Sequence, residues 1–409
     1  MKVAVIVDPY SSGNMLAPEF RKAGLSPVAV TSTPEPSAVY AASYRPEDFD
    51  TIIRHHGDVA TTVKALRALD PVCVVPGTEC GVELADLLAP QITPARANLP
   101  ELAGARRHKG AMQEALGSAG LPTVRQICTD SVDTVVTWLD REGLAGRDLI
   151  VKPPKSAGTD GVALVPAGGD WRPTFTALLH ERNKLDLVND QVIVQEYLVG
   201  TEYVVDTFSH DGVHTVVDIC RYRKRGTVYD SLEWLPYDLG VYGELLGYTQ
   251  AALDALGVRF GAAHSEVMMT SDGPRLIESG IRLHGGGHPR FCRTATGDSQ
   301  VDRTVRYCLG EQQPQGYTLR QHMQVVFLIS PTTGVVRNVE IFDRLRALPS
   351  HSITSIAARN GDHLHATHDL FSSLALGFVV LAHEREAQVH ADYEAVRELE
   401  HELIVEEGW

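Results

Sequence analysis

The sequence predicts an α/β protein whose C-terminal half has an α+β organisation. A chain of 409 residues exceeds one ordinary core, so two or three domains are expected. The first part alternates short apolar strands with helical segments, whereas strands dominate after about residue 195. Hydrophobic content of 44% and charged content of 22% are normal for a globular enzyme.

Residues 1–95 are predicted to form a small doubly wound, Rossmann-like domain. The apolar run Val3–Val7 is typical of a parallel strand that is covered on both faces. Its first turn carries Gly13 but lacks the GxGxxG pattern, so a dinucleotide site is disfavoured there. The other predicted elements are a helix over Met15–Ala23, strands over Leu25–Ser32 and Cys73–Val75, and a helix over Gly81–Leu88.

Three further segments follow along the chain. Residues 96–123 are predicted as a helical linker with Asn98 as an N-cap. Residues 124–194 show strand, helix, strand, glycine loop, strand, helix and strand, which indicates a small domain. Residues 195–409 are assigned to a large domain with a C-terminal part. Its clearest elements are a helix near Tyr248–Leu256, strands over Val325–Ile329 and Phe378–Ala382, and a closing helix over Glu386–Val405.

Charge and cysteine usage exclude several classes of function. A formal net charge of −15 repels phosphate backbones, so nucleic-acid binding is disfavoured. The six cysteines are scattered without a CxxC pair, which favours reduced thiols over disulfides or a zinc site. The chain begins directly with a strand, and no apolar run approaches about 18 residues. We therefore expect a cytoplasmic protein without a membrane partner.

The segment DLIVKPPKSAGTDGV, Asp148–Val162, has the composition of a phosphate site. Lys152 ends an apolar strand before two prolines that stop it, and its ammonium can hold a phosphate. The loop from Lys155 to Gly161 consists of small and polar residues, so backbone N–H groups can approach phosphate oxygens. The loop is not a P-loop, and taken alone it is equally compatible with a hairpin turn. The lysines on both sides of the proline pair favour phosphate.

The segment QVIVQEYLVGTEYVVD has the features of a nucleoside site. Glu196, Tyr197 and Leu198 end a strand that we predict at a sheet edge, where backbone groups can bind a purine. Glu196 can accept a hydrogen bond from the purine amine, and Glu202 can bind ribose hydroxyls. The alternative is an ordinary edge strand with solvated acids.

The segment LIESGIRLHGGG, Leu276–Gly287, completes the pattern with a metal site. Glu266 and Glu278 lie on two predicted strands joined by a tight turn, so their carboxylates can face one cleft. Two carboxylates with ATP phosphates are a usual environment for Mg²⁺. Arg282 can grip a carboxylate or an acyl phosphate with its planar fork. The alternative is a hairpin with two exposed acids.

Two clusters of cationic and imidazole side chains have weaker functional interpretations. The basic cluster follows a strand and belongs either to a second loop near the γ-phosphate or to a solvated turn; its members are Arg221, Arg223, Lys224 and Arg225. The histidine cluster follows a turn, and we interpret it as a solvated strand entry rather than a metal site; its members are His363, His365 and His368.

These segments, in this order and over roughly residues 1–400, resemble the ATP-grasp superfamily, and most closely the bacterial L-amino-acid ligases. A helix lysine, Lys109, precedes the strand lysine, the glycine loop, QEYLVGTEYVVD and the final LIESGIRLHGG. The superfamily's common metal motif E-x-N-x-R corresponds here to Glu278-Ser279-Gly280-Ile281-Arg282. Glycine therefore replaces the asparagine ligand.

The resemblance implies an ATP-grasp fold with a pre-ATP-grasp domain, and it implies ATP and Mg²⁺, or Mn²⁺, as cofactors. Lys109 and Lys152 would hold the α- and β-phosphates. A lid over the phosphates would be formed by the glycine loop, including Ser156, Gly158 and Gly161. Lys155 and Arg282 are the catalytic candidates, with Arg282 on the side of the substrate carboxylate. Gly285–Gly287 would leave either a roomy pocket for the first substrate or a floor made of backbone.

The implied activity is ATP-dependent ligation of a carboxylate to an amine through an acyl phosphate, with release of ADP and phosphate. Amino acids are the expected substrates, small-peptide or natural-product synthesis the expected context, and a homodimer the expected assembly. One alternative is an ATP-grasp carboxylase or a ligase of a non-amino-acid carboxylate. Another is a nucleotide-binding regulatory protein without turnover.

Overall fold

The N-terminal domain is a parallel α/β layer, as the sequence predicts. A computed structural model describes residues 2–406. The parallel sheet has the order β3-β2-β1-β4, with the buried run Val3–Val7 at its centre. The elements are β1 (Lys2–Val7), α1 (Leu16–Lys22), β2 (Leu25–Thr31), α2 (Ala38–Ala41), β3 (Thr51–Arg54), α3 (Val59–Arg67), β4 (Pro71–Pro76) and α4 (Val82–Ile92).

Strand β3 and helix α3 have no counterpart in the sequence prediction. The strand has only four residues and lies at the sheet edge, mostly exposed, so no buried apolar pattern marks it. The helix is capped by Asp58, whose side chain accepts hydrogen bonds from the backbone N–H groups of Ala60 and Thr61. This cap is the signal in the sequence that could have revealed the helix.

The linker leads to helix α5 (Lys109–Ser118), which brings Lys109 to the cleft described below. The expectation that Asn98 caps a helix is wrong. Its side chain instead accepts hydrogen bonds from the backbone N–H groups of Arg259 and Phe260 in the large domain. The residue that caps α5 is His108, whose Nδ1 accepts from the backbone of Ala111.

The small domain has the predicted element order but a different position for one strand. Its antiparallel sheet has the order β5-β8-β6-β7, so β8 is internal and the expected sheet edge is wrong. The continuous burial of β8 agrees with an internal position in the sheet. The elements are β5 (Gln126–Thr129), α6 (Val132–Glu142), β6 (Leu149–Lys152), β7 (Ala163–Val165), α7 (Arg172–Leu178) and β8 (Val192–Glu196).

The large domain is built on an antiparallel eight-stranded sheet with the order β13-β12-β9-β10-β11-β14-β18-β16. A second sheet of three strands has the order β17-β15-β19. The strands are β9 (Thr201–His210), β10 (Val213–Arg225), β11 (Val228–Trp234), β12 (Gly261–Thr270), β13 (Gly273–Gly280), β14 (His322–Phe327), β15 (Gly334–Val336), β16 (His351–Ile356), β17 (His363–Leu364), β18 (Gly377–His383) and β19 (Val405–Glu406).

Helices cover this sheet, and several of their bounds differ from the prediction. The helices are α8 (Leu239–Ala255), α9 (His288–Thr296), α10 (Gln300–Leu309), α11 (Leu370–Leu376) and α12 (Glu386–Glu400). Helix α8 begins earlier than expected because the Asp238 side chain caps it. Helix α10, which was not predicted, is capped by Ser299. Helix α12 ends before Val405, which pairs in β19 instead.

A disulfide joins the N-terminal domain to the large domain and corrects the expectation of reduced thiols. It links Cys73 of β4 to Cys308 of α10, whose Cα atoms are 6.0 Å apart. The two cysteines are separated by 235 residues, so spacing in the sequence carries no sign of the pair. Cys80, Cys128, Cys220 and Cys292 are free thiols.

Between residues 2 and 406, no helix combines the length and the apolar character needed to cross a membrane.

Candidate active site

All three domains contribute to one large cleft. Its volume is about 980 Å³, at the upper end of the range for small-molecule sites. The small domain supplies the strand ends and the glycine loop, the large sheet supplies the floor, and the N-terminal domain supplies one wall. Residues that illustrate the three contributions are Ser12, Thr78, Lys152, Gly158, Leu198, Glu202, Glu266 and Arg282.

Two lysines, one from the linker helix α5 and one from the small domain, converge beside the glycine loop. Lys109 is the first residue of α5, and its Nζ lies 2.7 Å from Oε2 of Glu278 and 2.8 Å from the Ser156 carbonyl oxygen. Lys152 ends β6 and is 5% exposed. Burial, followed by the charge of Lys109, lowers the pKa of Lys152 to about 8. A polyanion bound here would relieve this repulsion between the lysines.

The glycine loop between β6 and β7 lies against the cleft, where Ser156, Gly158 and Thr159 line it. Gly158 and Gly161 have φ angles of 66° and 69°, a region that glycine enters at low cost. The Ser156 hydroxyl donates to Asp160 at 2.8 Å, which holds the turn together.

Lys155 points away from this cleft. Its Nζ lies 2.6 Å from Oε1 of Glu83 in α4, and Lys155 is not among the cleft-lining residues. Both side chains are substantially exposed, so the pair contributes little to stability. The pair joins the glycine loop to the N-terminal domain. A catalytic role for Lys155 stays a prediction and requires the loop to rearrange.

At the end of β8 the side chains alternate between the cleft and the opposite face. Gln195, Tyr197 and Leu198 line the cleft, whereas the Glu196 carboxylate lies 2.6 Å from Nη2 of Arg125. The structure therefore does not bring the Glu196 carboxylate into the cleft. Binding of a purine by Glu196 stays a prediction, and the backbone of Glu196 would have to provide the contact.

Glu202 lies in the cleft and is paired with a lysine held among aromatic rings. Oε1 of Glu202 is 2.7 Å from Nζ of Lys224. That ammonium lies 4.7 Å from the ring centre of Tyr222 and 4.2 Å from that of Tyr229. Despite burial, the charges of Glu202 and Glu266 raise the pKa of Lys224, so it stays cationic. The flat rings and the ion pair suit a nucleoside with polar hydroxyls.

The basic cluster belongs to a strand, which corrects the expectation of a second loop. Arg221, Arg223, Lys224 and Arg225 are the final part of β10, which pairs with β11. Arg221 lies 2.5 Å from Glu233, and Arg223 lies 3.5 Å from the same carboxylate. Arg221, Arg223 and Lys224 line the cleft. Pairing with β11 fixes their backbone, so they form a basic wall rather than a mobile cover.

Glu266 and Glu278 face each other across the β12–β13 hairpin, where a bulge between Glu266 and Val267 shifts the register set by the turn Asp272-Gly273. Both line the cleft. Although burial opposes it, the charges of Lys109, Lys152 and Arg282 lower the pKa of Glu278 to about 2, so it is an anion at neutral pH. Two carboxylates beside a lysine pair that suits phosphates fit a hard divalent cation such as Mg²⁺.

Gly280 occupies the position of the asparagine in the common motif, and the packing explains the replacement. A Cβ atom at this position would lie 3.1 Å from Cζ of Arg282 and 3.1 Å from Oε2 of Glu79. A larger side chain would therefore displace this ion pair. The pair occupies the space where a third ligand side chain would begin.

Arg282 is held by Glu79, an acidic residue that was not among the site residues predicted from the sequence. Its Nε donates to Oε2 of Glu79 at 2.8 Å, and its Nη1 donates to the Leu283 carbonyl at 2.9 Å. Oε1 of Glu79 lies 3.1 Å from Nη1 of Arg107. Nη2 of Arg282 has no partner among the residues that the structure describes. Arg282 is thus fixed by the N-terminal domain with one donor nitrogen remaining for a substrate oxygen.

A group of histidines forms the floor beside Arg282. These histidines were not among the site residues predicted from the sequence. His264, His284 and His288 line the cleft, and their side chains surround the fully buried Asp206. Their position in the sequence could have revealed these histidines, because His264 lies two residues before Glu266 and His284 lies two residues after Arg282.

The part of the cleft beside His284 and His288 is small and polar. Ser11 and Ser12 accept hydrogen bonds from the backbone N–H groups of Gly286 and Gly287, at 3.3 and 3.0 Å. Tyr40 and Gly285 line the cleft nearby. The glycines leave backbone rather than side chains at this end, in agreement with the expectation of a floor made of backbone.

The histidine cluster interpreted as a solvated strand entry lies apart from the cleft. His363 and His365 are at and beside β17, and their ring centres are 5.4 Å apart. Neither they nor His368 lines the cleft.

Comparisons with known proteins identify the family and the fold. Residues 146–288 match the family model of the ATP-grasp domain. Dapdiamide A synthase of Enterobacter agglomerans is 30% identical over 415 residues, which cover 98% of this chain and 96% of that protein. The L-amino acid ligase from Bacillus licheniformis has a TM-score of 0.71 at 17% identity, over 100% of this chain and 99% of that one.

N5-Carboxyaminoimidazole synthetase from Staphylococcus aureus, complexed with ADP, shares the fold as well. Its TM-score is 0.69 at 15% identity, over 97% of this chain and 96% of that chain.

Proposed function

Since this chain belongs to the ATP-grasp family of ATP-dependent carboxylate–amine ligases, we propose that it joins two amino-acid-like substrates into a dipeptide or a similar amide in natural-product synthesis. The observation that carries the proposal is one cleft in which a lysine pair, a carboxylate pair and a held arginine lie side by side. The printed names of dapdiamide A synthase and the L-amino acid ligase support this class of reaction.

Each group in the cleft has a role in the proposed reaction. Lys109 and Lys152 hold the phosphates of ATP, and the loop with Ser156, Gly158 and Gly161 covers them and keeps water from the acyl phosphate. The nucleoside lies between Tyr197, Leu198 and Glu202. These assignments place the transferred phosphate towards Glu278 and Arg282, because Lys109 contacts Glu278 directly.

Glu266 and Glu278 would hold Mg²⁺, or Mn²⁺ in its place, and the ion would neutralise charge on the phosphates during transfer. Arg282 directs its remaining nitrogen at the carboxylate that becomes phosphorylated, or at the acyl-phosphate oxygen. Hydrogen-bond donors fixed before the reaction stabilise the developing negative charge without reorganising. Glu79 and Arg107 provide this fixation.

The test is a screen of ADP release over pairs of amino acids and other carboxylates, with mass spectrometry of the products. Hydroxylamine added in place of the amine converts an acyl phosphate into a hydroxamate and shows which carboxylate is activated. An arm with bicarbonate and no amine tests the carboxylase alternative. ADP release that needs both a carboxylate and an amine, with an amide product, is the expected result. ATP binding without turnover in every arm would contradict the proposal.

Lys152→Ala is expected to weaken ATP binding roughly tenfold or more while the fold stays intact. The change removes a charge-assisted phosphate contact that contributes about 1.5–3 kcal/mol. Titration calorimetry with ATP and Mg²⁺ measures the effect. Lys22→Ala, an exposed lysine in α1, is the matched control and should leave the affinity unchanged. Equal affinities for the Lys152 variant and wild type would remove Lys152 from the nucleotide site.

The glycine loop is expected to be cut by trypsin after Lys155 in the free protein and protected by a non-hydrolysable ATP analogue with Mg²⁺. Residues 155–161 are mostly small or polar and bury little apolar area, so local opening costs little free energy. The Lys152–Pro153 bond resists trypsin, which leaves Lys155 as the cleavage point within this loop. Equal cleavage rates with and without nucleotide would indicate a rigid turn that does not act as a lid.

The homodimer implied by the family resemblance remains part of this proposal, and sedimentation at micromolar concentration tests it. A mass of two chains is expected, and a mass of one chain would contradict it.

A further inference from the structure

Four aromatic side chains form a continuous stack at the floor of the cleft. The ring centres of Trp234 and His288 are 4.7 Å apart, those of His288 and His284 are 3.7 Å apart, and those of His284 and His264 are 3.8 Å apart. Trp234 lies at the buried end, and the three histidines line the cleft. Three stacked imidazoles beside an arginine have no role in the reaction as described so far.

A single carboxylate fixes the orientation of two of these rings. Oδ1 of Asp206 lies 3.0 Å from Nδ1 of His264, and Oδ2 lies 2.9 Å from Nδ1 of His284. Asp206 is completely buried. Although burial opposes it, the neighbouring imidazoles of His284 and His288 and the hydrogen bonds from His264 and His284 hold the pKa of Asp206 far below its usual range, so it is ionised. An ionised carboxylate only accepts hydrogen bonds, so both Nδ1 atoms carry hydrogen.

The second ring nitrogen of His284, Nε2, therefore differs from Nδ1 in its hydrogen bonding. When Nδ1 of a neutral imidazole carries the hydrogen, Nε2 presents a lone pair. Within residues 2–406, Nε2 of His284 has no hydrogen-bond partner, although 10% of the side chain is exposed and the ring lines the cleft. His264 differs, because its Nε2 lies 3.4 Å from Glu266.

The surroundings keep His284 neutral in the free protein. Burial, followed by the charges of His264 and His288, lowers the pKa of His284 well below its usual range. A neutral imidazole can accept a hydrogen bond from an ammonium group, which a protonated one cannot. A bound acyl phosphate would bring negative charge to the same end of the cleft and favour proton uptake by the ring at that stage.

We propose that Nε2 of His284 receives the ammonium group of the amine substrate and accepts its proton as the amide bond forms. Asp206 is a positioning residue that holds the ring with Nε2 towards the cleft. The inference rests on the proposed ligase function and adds the group that activates the nucleophile. It identifies the second substrate as a compound with a primary ammonium group, which enters beside Gly285 and Gly286.

The proton and electron balance of the step is complete. The ammonium gives one proton to His284, and the nitrogen lone pair then forms the C–N bond with the acyl-phosphate carbonyl carbon. The C–O bond to phosphate breaks, and its electron pair leaves with the phosphate. The second proton on nitrogen goes to water, and His284 returns its proton to solvent after the product leaves. General base catalysis of this kind contributes about 10²–10⁴-fold in rate.

The decisive experiment compares two nucleophiles in His284→Gln. An amino-acid amine arrives protonated at neutral pH, whereas hydroxylamine is largely unprotonated and needs no base. We expect amide formation with the amino acid to fall by about 100-fold or more, with hydroxamate formation within a few-fold of wild type. His214→Gln is the matched control, because His214 is also buried but bonds to Ser209 and Asp254 outside the cleft. It should change neither rate.

Equal losses with both nucleophiles in His284→Gln would overturn the proposal, since they would assign the stack a structural or metal-holding role. An unchanged rate of amide formation with the amino acid in His284→Gln would also overturn the proposal. Asp206→Asn is a second variant, in which kcat for the amino acid should fall selectively while KM for ATP stays constant. Wild-type protein that forms no hydroxamate from any carboxylate would instead contradict the proposed function.

Discussion

Glu278→Gln is expected to lower amine-dependent ADP release by about 10²–10³-fold while the fold survives. The variant keeps the shape of the side chain but removes the anionic oxygen that lies 2.7 Å from Lys109 and faces Glu266 across the hairpin. A metal ion at such a position contributes several kcal/mol to charge stabilisation, and each 1.4 kcal/mol corresponds to about tenfold in rate. The low pKa of Glu278 keeps it anionic at neutral pH, the state that a metal ligand requires.

The measurement is the rate of ADP release as Mg²⁺ is varied, with Asp272→Asn as the control. Asp272 is exposed at the turn of the same hairpin, so its variant loses a charge without touching the cleft. Near-normal turnover in Glu278→Gln would mean that the ion binds elsewhere. A parallel loss in the control would mean that the hairpin, rather than the carboxylate, is sensitive.

Arg282→Lys is expected to lower turnover by about 10²–10³-fold, the usual cost of removing a fixed donor to a developing oxyanion. Lysine retains the charge but lacks the planar fork that contacts Glu79 and the Leu283 carbonyl while keeping Nη2 free. Arg282→Ala should in addition destabilise the protein by about 3–5 kcal/mol, because the nearly buried Glu79 loses one of its two cationic partners.

Steady-state kinetics and thermal unfolding of both variants separate the two effects. Arg275→Lys is the matched control on β13, since its guanidinium donates to the carbonyl groups of Asp272 and Pro274 and does not line the cleft. If Arg282→Lys retained wild-type turnover, the substrate oxygen would have another donor. If Arg282→Ala kept wild-type stability, the ion pair with Glu79 would contribute nothing across the domains.

Local patterns predicted the parts of the site that local geometry determines. The Asp272-Gly273 turn predicts the hairpin that carries Glu266 and Glu278, whereas a bulge beside Glu266, which the turn does not predict, brings the two residues opposite each other. The proline pair ends β6 at Lys152 and begins the glycine loop. These features depend on neighbours within a few residues.

Contacts between distant segments were not predictable in the same way. Glu79 and Arg282 are 203 residues apart, and Cys73 and Cys308 are 235 residues apart. The Glu196 side chain was misjudged for another reason. The apolar run before it hides the alternation of faces, and only the assembled cleft shows that Gln195 rather than Glu196 turns to it.

The contact of Glu79 with Arg282 has a consequence for protein engineering. A chimera that exchanged residues 1–95 for the equivalent part of a relative would replace Glu79, the serines that hold Gly286 and Gly287, and one half of the disulfide. Recombination at the apparent linker would thus alter the orientation of Arg282, although the transplanted segment lacks both proposed metal ligands. Libraries aimed at new substrates should therefore keep the first domain and the 282–288 segment from the same parent.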